Sequence, residues 1–185
     1  MKVDKRLAKR VERLTESKTL KMARLSRELK DQGVDIISLS LGEPDFDTPD
    51  FVQDAAIKAM KDGFTHYPPV AGYNDLREAI ATRYRDKFGM DVSIANTLVS
   101  TGAKHTLANI IMSLIDFDDE VLIPAPFWVT YPEQVALAGG KSNVVLAGVE
   151  QDYKITAAQL DEALTENTRM VIFSSPSNPT GSIYS

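Results

Sequence analysis

Ser174-Ser175-Pro176-Ser177-Asn178-Pro179-Thr180-Gly181 is a loop of small hydroxyls, prolines, one asparagine and a glycine. It follows Arg169-Met170-Val171-Ile172-Phe173, an apolar run of the kind that forms a buried strand. Asn, Pro and Gly build ordinary turns. The Asn178 amide can equally donate to a ligand oxygen. Local sequence leaves both readings open, along with the cis or trans state of the Asn178–Pro179 bond.

Two further segments carry residues suited to chemistry. Thr101-Gly102-Ala103-Lys104 joins a short apolar run to a strongly periodic helix. Small residues at a helix start leave its first amides open, which suits an anion or phosphate, though many α/β turns look alike. Trp128, the sole tryptophan, follows Pro124-Ala125-Pro126-Phe127. It either packs as a core aromatic or lays its ring on a planar ligand. Tyr67, before Pro68-Pro69, is either a core tyrosine or a hydroxyl donor to an anion. His66 and His105 have no partners at metal-ligand spacing and read as structural or surface residues. Gly140-Lys141-Ser142 imitates the end of a P-loop, but Val135 stands where the pattern needs glycine, and no G-x-G-x-x-G occurs.

The elements that must position these residues alternate. Lys5 to about Lys30 is helical and charged, with a break at Thr15-Glu16-Ser17-Lys18-Thr19. Asp35 to Leu41 reads as a strand. Thr48 is expected as N-cap, with Pro49 opening a helix that ends at Gly63. Its apolar stripe is Val52, Ala55, Ala56, Ala59 and Met60. Another helix is expected from about Asp75 to Phe88. Strands are then predicted at Leu98–Thr101, Glu120–Ile123, Asn143–Leu146 and Met170–Phe173. Between them lie helices carrying Leu107, Ile110, Ile111, Leu114 and Ile115, then Val129–Ala138, then a capping-box helix opened by Thr156 and Gln159. This grammar gives an α/β fold, a sheet with helices on its faces. Ligands of such sheets sit at the carboxyl ends of the strands, so the Thr101–Lys104, Pro124–Trp128 and Ser174–Gly181 loops are expected to converge.

Composition narrows the function classes. A charge of −5 and a pI near 5.1 argue against nucleic acid as a partner. No run nears the roughly 18 apolar residues of a membrane span. The charged Met1–Arg6 leads into no signal core, so a cytoplasmic protein is expected. Zero cysteines exclude disulfides and thiolate metal sites, and two histidines leave little for any other metal centre. At 43% hydrophobic, 185 residues suffice for one domain with a core, or one and a fraction.

Five blocks occur in order: Gly42-Glu43-Pro44-Asp45-Phe46-Asp47-Thr48-Pro49, Tyr67 to Gly72, Ser100 to Lys104, Pro126 to Glu133, and Ser175 to Gly181. Together they resemble the N-terminal half of class I aminotransferases, the fold-type I enzymes that use pyridoxal 5'-phosphate. Within that family they look like the bacterial aspartate aminotransferases that carry the Gly42–Pro49 block. The resemblance covers the chain from about Lys9 onward. It implies a mostly parallel sheet with helices on both faces, with residues 1–48 as an N-terminal arm and part of a small domain. Residues 49–185 would form the first part of a large cofactor-binding domain. It implies that Gly102, Ala103 and Lys104 hold the cofactor phosphate through the backbone, the Lys104 side chain having no assigned role. Trp128 would stack on the pyridine ring and Asn178 would bond its phenolic oxygen, with Pro179 following a cis bond. Gly42 would meet the substrate carboxylate, beside Trp128 and Asn178. Tyr67 would reach the cofactor phosphate of a neighbouring subunit, which implies a homodimer with shared active sites.

The resemblance also implies absences. The lysine that bonds covalently to the cofactor, the aspartate that pairs with its pyridinium nitrogen and the arginine that grips the substrate carboxylate all lie downstream in the family. None has a counterpart here, so no catalytic residue is assigned. The expected function is transfer of an amino group between an L-amino acid and a 2-oxo acid, by a longer enzyme of which this is the N-terminal part. The 185 residues alone are expected to be inactive and to fold poorly, with strands lacking neighbours on at least one edge. The alternatives are a carbon–sulfur lyase of the same fold and a non-catalytic cofactor-binding module. The arm around Ser17-Lys18-Thr19 is the part of the chain expected to influence the choice of substrate side chain.

Overall fold

The computed structural model describes residues 6–15, 18–39, 42 and 44–184. Expectations for the N-terminus through Lys5, for Glu16 and Ser17, for Ser40 and Leu41, for Glu43 and for Ser185 lie outside the described residues. Two compact units result, Met1–Lys21 with Gly102–Ser185 and Met22–Thr101.

The first unit is built around β1 (Glu120–Ala125), the middle strand of a three-stranded parallel sheet ordered β2-β1-β3. Its partners are β2 (Lys141–Leu146) and β3 (Thr168–Val171). Val121, Leu122 and Ile123 are all buried, because a central parallel strand is covered on both faces and needs a continuous apolar run. Val121 and Ile123 point to one face, where they meet Ile111 and Ile115 and, from α6 (Thr130–Ala138), Tyr131 and Val135. Ile111 lies in α5 (Gly102–Leu114) and Ile115 just beyond its end. Each such aliphatic side chain taken from water contributes roughly 1.5–3 kcal/mol. On the opposite side, α7 (Ala157–Ala163) brings Ala157 and Leu160 toward Pro124. Its capping box forms as expected, Thr156 accepting from the Gln159 amide and Gln159 Oε1 from the Thr156 amide. Between Glu120 and Val121 the pairing with β3 skips Arg169, which turns to Asp119 Oδ1 at 3.2 Å.

The α6 stop is set by Gly139, whose φ of +100° closes the helix while Gly140 N donates to Val135 O at 3.1 Å. A Cβ there would be strained by the positive φ and would lie 3.1 Å from the Phe117 ring, tighter than ordinary contact. Ahead of the sheet come α1 (Lys9–Glu12) and α2 (Lys18–Asp31); Arg13–Thr15 between them are not helical, while Lys18 and Thr19, expected in the break, already belong to α2. The boundary between the units falls within α2.

The second unit contains α3 (Asp50–Lys61) and α4 (Asn74–Phe88). Arg77 fastens α4 to the following 3-10 turn (Ile94–Asn96), its Nε donating to Thr97 O at 2.8 Å and its Nη2 to Ile94 O. Arg85 adds Nη1 to Val92 O at 2.9 Å.

Three expectations are corrected. Val34 to Leu39 is irregular rather than a strand, with Ile37 87% and Leu39 93% exposed. Leu98 to Thr101 is also not a strand. In both places β-favouring residues are present but no described neighbour supplies a ladder, and an isolated strand does not hold. At α3, Pro49 rather than Thr48 is the N-cap, and it makes no side-chain capping bond. Thr48 instead accepts Gln53 Nε2 at its carbonyl, 2.5 Å away.

Candidate functional site

The site grows from the sheet of the first unit. α5 starts at Gly102 with φ of +78°, a left-handed backbone that glycine adopts without penalty. Gly102, Ala103 and Lys104 are exposed. The amides of a helix's first turn have no intrahelical acceptor, so this turn presents donors outward. A Cβ at Gly102 would meet nothing within 4 Å, which leaves open space over the turn.

The next loop comes close. Lys104 Nζ sits 5.0 Å from the centre of the Trp128 ring, a cation over an aromatic face. Gln134 Nε2, from α6, donates to Lys104 O at 2.9 Å. Trp128 is half-buried, edge-on to Tyr131 with centroids 5.6 Å apart, and it packs against the core. The core fixes the ring while part of it stays open.

The third loop is held by its own hydroxyls. Ser174 Oγ accepts from Asn178 N at 3.3 Å, and Ser175 Oγ accepts from Tyr184 N at 3.0 Å. Gly181, at φ of +76°, donates to Ser177 O, and Ser177 N donates to Ser182 O. The Ser175–Pro176 and Asn178–Pro179 bonds are cis, as is Ala125–Pro126 in the second loop. Asn178 is exposed, and its side-chain amide has no hydrogen-bond partner among the described residues. A crevice lined by Pro126, Phe127, Tyr153, Ser174, Ser177 and Tyr184 joins the second and third loops. Loop one thus meets loop two through Lys104 and Trp128, and loop two meets loop three through this crevice.

The resemblance brought attention to Asn178 but not to what braces it. Ser182 is buried and donates to Asp152 Oδ1 at 3.4 Å, and Tyr184 OH accepts from Ile155 N at 3.0 Å. Phe173 and Tyr184 meet edge-on at 5.5 Å. Asp152 and Tyr153 hold positive φ, 52° and 57°, to bring this turn beneath the loop. Lys154 Nζ, 2.9 Å from Asp152 Oδ2, holds the Asp152 carboxyl below its ordinary pKa. The only sequence signal for this brace was the aspartate, a residue that tolerates the left-handed region.

Gly42 and Tyr67 lie in the second unit. Both are exposed, Tyr67 completely, with Val70 beside it in the same state. Among the described residues no helix is long and apolar enough to cross a membrane.

Comparison with known proteins agrees with this geometry. A family model described as aminotransferase class I and II matches residues 34–185. The aspartate aminotransferase of Geobacillus stearothermophilus is 50% identical over 180 residues, covering 97% of this chain and 46% of its own length. A probable aspartate/prephenate aminotransferase of Rhizobium leguminosarum bv. phaseoli is 48% identical over 178 residues, covering 96% of this chain and 44% of its own. The solved structure of Thermus thermophilus aspartate aminotransferase with maleate superposes with a TM-score of 0.94 at 38% identity, over 98% of this chain and 48% of that one. The chain thus spans just under half the length of the relatives it matches. With the family model matching most of its residues, and the parallel sheet matching solved members, this chain belongs to the aminotransferase class I and II family.

Proposed function

We propose that the protein is an aspartate-type aminotransferase that moves an amino group between an L-amino acid and a 2-oxo acid with pyridoxal 5'-phosphate. The observation that carries this is the pairing of an open helix start at Gly102 with a half-buried tryptophan under a cation, next to a loop that carries an asparagine whose side-chain amide is unengaged among the described residues. The relatives are named for aspartate, which makes aspartate the first donor to test.

The residues present fit this cofactor. The open space over Gly102 accommodates a phosphate against the amides of Gly102, Ala103 and Lys104, where the helix dipole also favours an anion. Trp128, fixed by Tyr131 and the core, offers a flat apolar face for the ring. Asn178 supplies a donor for the ring's phenolic oxygen, and bonding to that oxygen's charged form favours it. When bound, the cofactor supplies the electron sink for the carbanion left as an amino acid loses its α-proton. Gly42 would meet the substrate carboxylate. Tyr67, fully exposed in its own chain, is suited to reach the site of a second copy. The exposed Val70, three residues on, would be covered with it in such a homodimer. Residues 1–48 would serve as arm and part of a small domain, and 49–185 as part of the large domain. Activity also needs the lysine, aspartate and arginine that the second half of the family supplies. A cytoplasmic setting follows from the same reading.

The test is expression from the full reading frame with aspartate and a 2-oxo acid. A visible band from bound cofactor and transfer of the amino group are expected. No band and no transfer would sink the proposal. Release of ammonia and a 2-oxo acid from a sulfur amino acid, without transfer, would favour the lyase instead.

A further inference from the structure

We propose that Glu133 is a positioning residue that clamps the N-terminal arm at Thr15 and registers it to the start of α6, whose Gln134 also holds the backbone of Lys104. α1 has only four residues and none of them is buried, too short a helix to persist on local propensity. Something else must seat the arm. At the break that follows α1, the Thr15 amide donates to Glu133 Oε2 at 3.0 Å and the Thr15 hydroxyl to Glu133 Oε1 at 2.5 Å. One carboxylate thus accepts both donors of one residue 118 positions away. Such charge-assisted bonds are roughly twice as strong as neutral ones. A second foothold lies two residues earlier, where the Arg13 guanidinium sits 5.7 Å from the centre of the Phe117 ring. That ring lies over Gly139 at the far end of α6.

The clamp has a defined address. Glu133 lies in the first turn of α6, directly after Val129 and Trp128. Its neighbour Gln134 donates to Lys104 O at 2.9 Å, and Lys104 in turn covers the Trp128 ring. Adjacent residues on one rigid turn therefore hold the arm and the start of α5. The arm's position is set relative to the Lys104–Trp128 pair, not left to a flexible tether.

The test uses the protein from its full reading frame and follows amide hydrogen exchange at Thr15 and trypsin cleavage after Arg13. In Glu133→Ala both should rise about tenfold. Glu133→Gln keeps an acceptor oxygen and should be intermediate. Thr15→Ser, which keeps both donors, should match the native protein. The Ile111 and Val121 amides report whether the core stays folded. Native exchange at Thr15 in a folded Glu133→Ala variant overturns the proposal. If that variant loses core protection, Thr15→Val against Thr15→Ser decides. Faster cleavage in the valine variant alone supports the clamp, and equal cleavage in both overturns it.

Discussion

Replacing Gly102 with alanine sets two opposed effects against each other at the heart of the candidate site. In an ordinary helical backbone, Gly→Ala stabilises by roughly 0.4–1 kcal/mol, because the unfolded chain loses freedom. Gly102 is not ordinary, since its φ is +78°. An L side chain in the left-handed region costs about 1–2 kcal/mol. Steric bulk adds nothing, because a Cβ there meets no atom within 4 Å. Backbone strain therefore wins, and Gly102→Ala should lose about 1 kcal/mol net. That is about a fivefold change in the folded-to-unfolded ratio. For a chain of this size it lowers the melting temperature by about 2–4 °C. Urea unfolding with an unchanged slope measures it. Gly102→Asn is the control, because asparagine tolerates this conformation and should lose less. An alanine variant as stable as the native protein, or more so, would refute the reasoning. It would mean that α5 starts with an ordinary helical residue and does not turn its first amides outward in the way proposed for the phosphate.

Other perturbations test the core, the pair at the site and the charges. Ile111→Ala empties a fully buried position between α5 and β1 and should cost about 2–5 kcal/mol, read as a lower urea midpoint. Lys104→Met removes the cation 5.0 Å above the only tryptophan, so the emission of Trp128 should shift and stability should fall by about 0.5–1 kcal/mol. Unchanged emission would remove Lys104 from the ring. Lys141 Nζ lies 2.8 Å from Asp118 Oδ1, which lowers the Asp118 pKa and raises that of Lys141. The aspartate's share of stability is present above its unfolded pKa of about 3.9 and is lost as pH falls through the lower folded value. The lysine's share is present below about 10.4 and is lost as pH rises through its higher folded value. Lys141→Met should flatten both limbs of the melting-temperature profile, and a profile identical to the native one would show that the pair contributes nothing.

The parts of the fold that were legible are those whose causes are local. Leu107, Ile110 and Ile111 mark α5 because a helix repeats its face every 3.6 residues, and α5 indeed buries Ile111. Thr156 and Gln159 mark the start of α7 because their reciprocal bonds need only four consecutive residues. Val121 to Ile123 mark a strand covered on both sides, and β1 is that strand. The failures are non-local. Leu98–Thr101 carries the β-favouring residues of a strand, but a strand exists only as a pair. The brace under Asn178 was invisible for a related reason. Ser182 and Asp152 are 30 positions apart, and neither has a spacing rule that would join them.

Trp128 shows how such limits can mislead about function. Asking whether it is a core residue or a ligand platform presumes that one side chain has one environment. Its six-membered and five-membered rings together span enough surface to have two. The contact with Tyr131 and the core fixes the orientation of the indole, and that fixed orientation is what would let its exposed part serve as a platform. The same logic applies to α3, whose stripe of Val52, Ala55, Ala56, Ala59 and Met60 is helical as expected although no residue of the helix is buried in this chain. Periodicity encodes that a face favours cover. It does not encode whether the cover comes from the same chain or from another, and so a burial forecast made from periodicity alone is a forecast about an assembly whose members the pattern does not name.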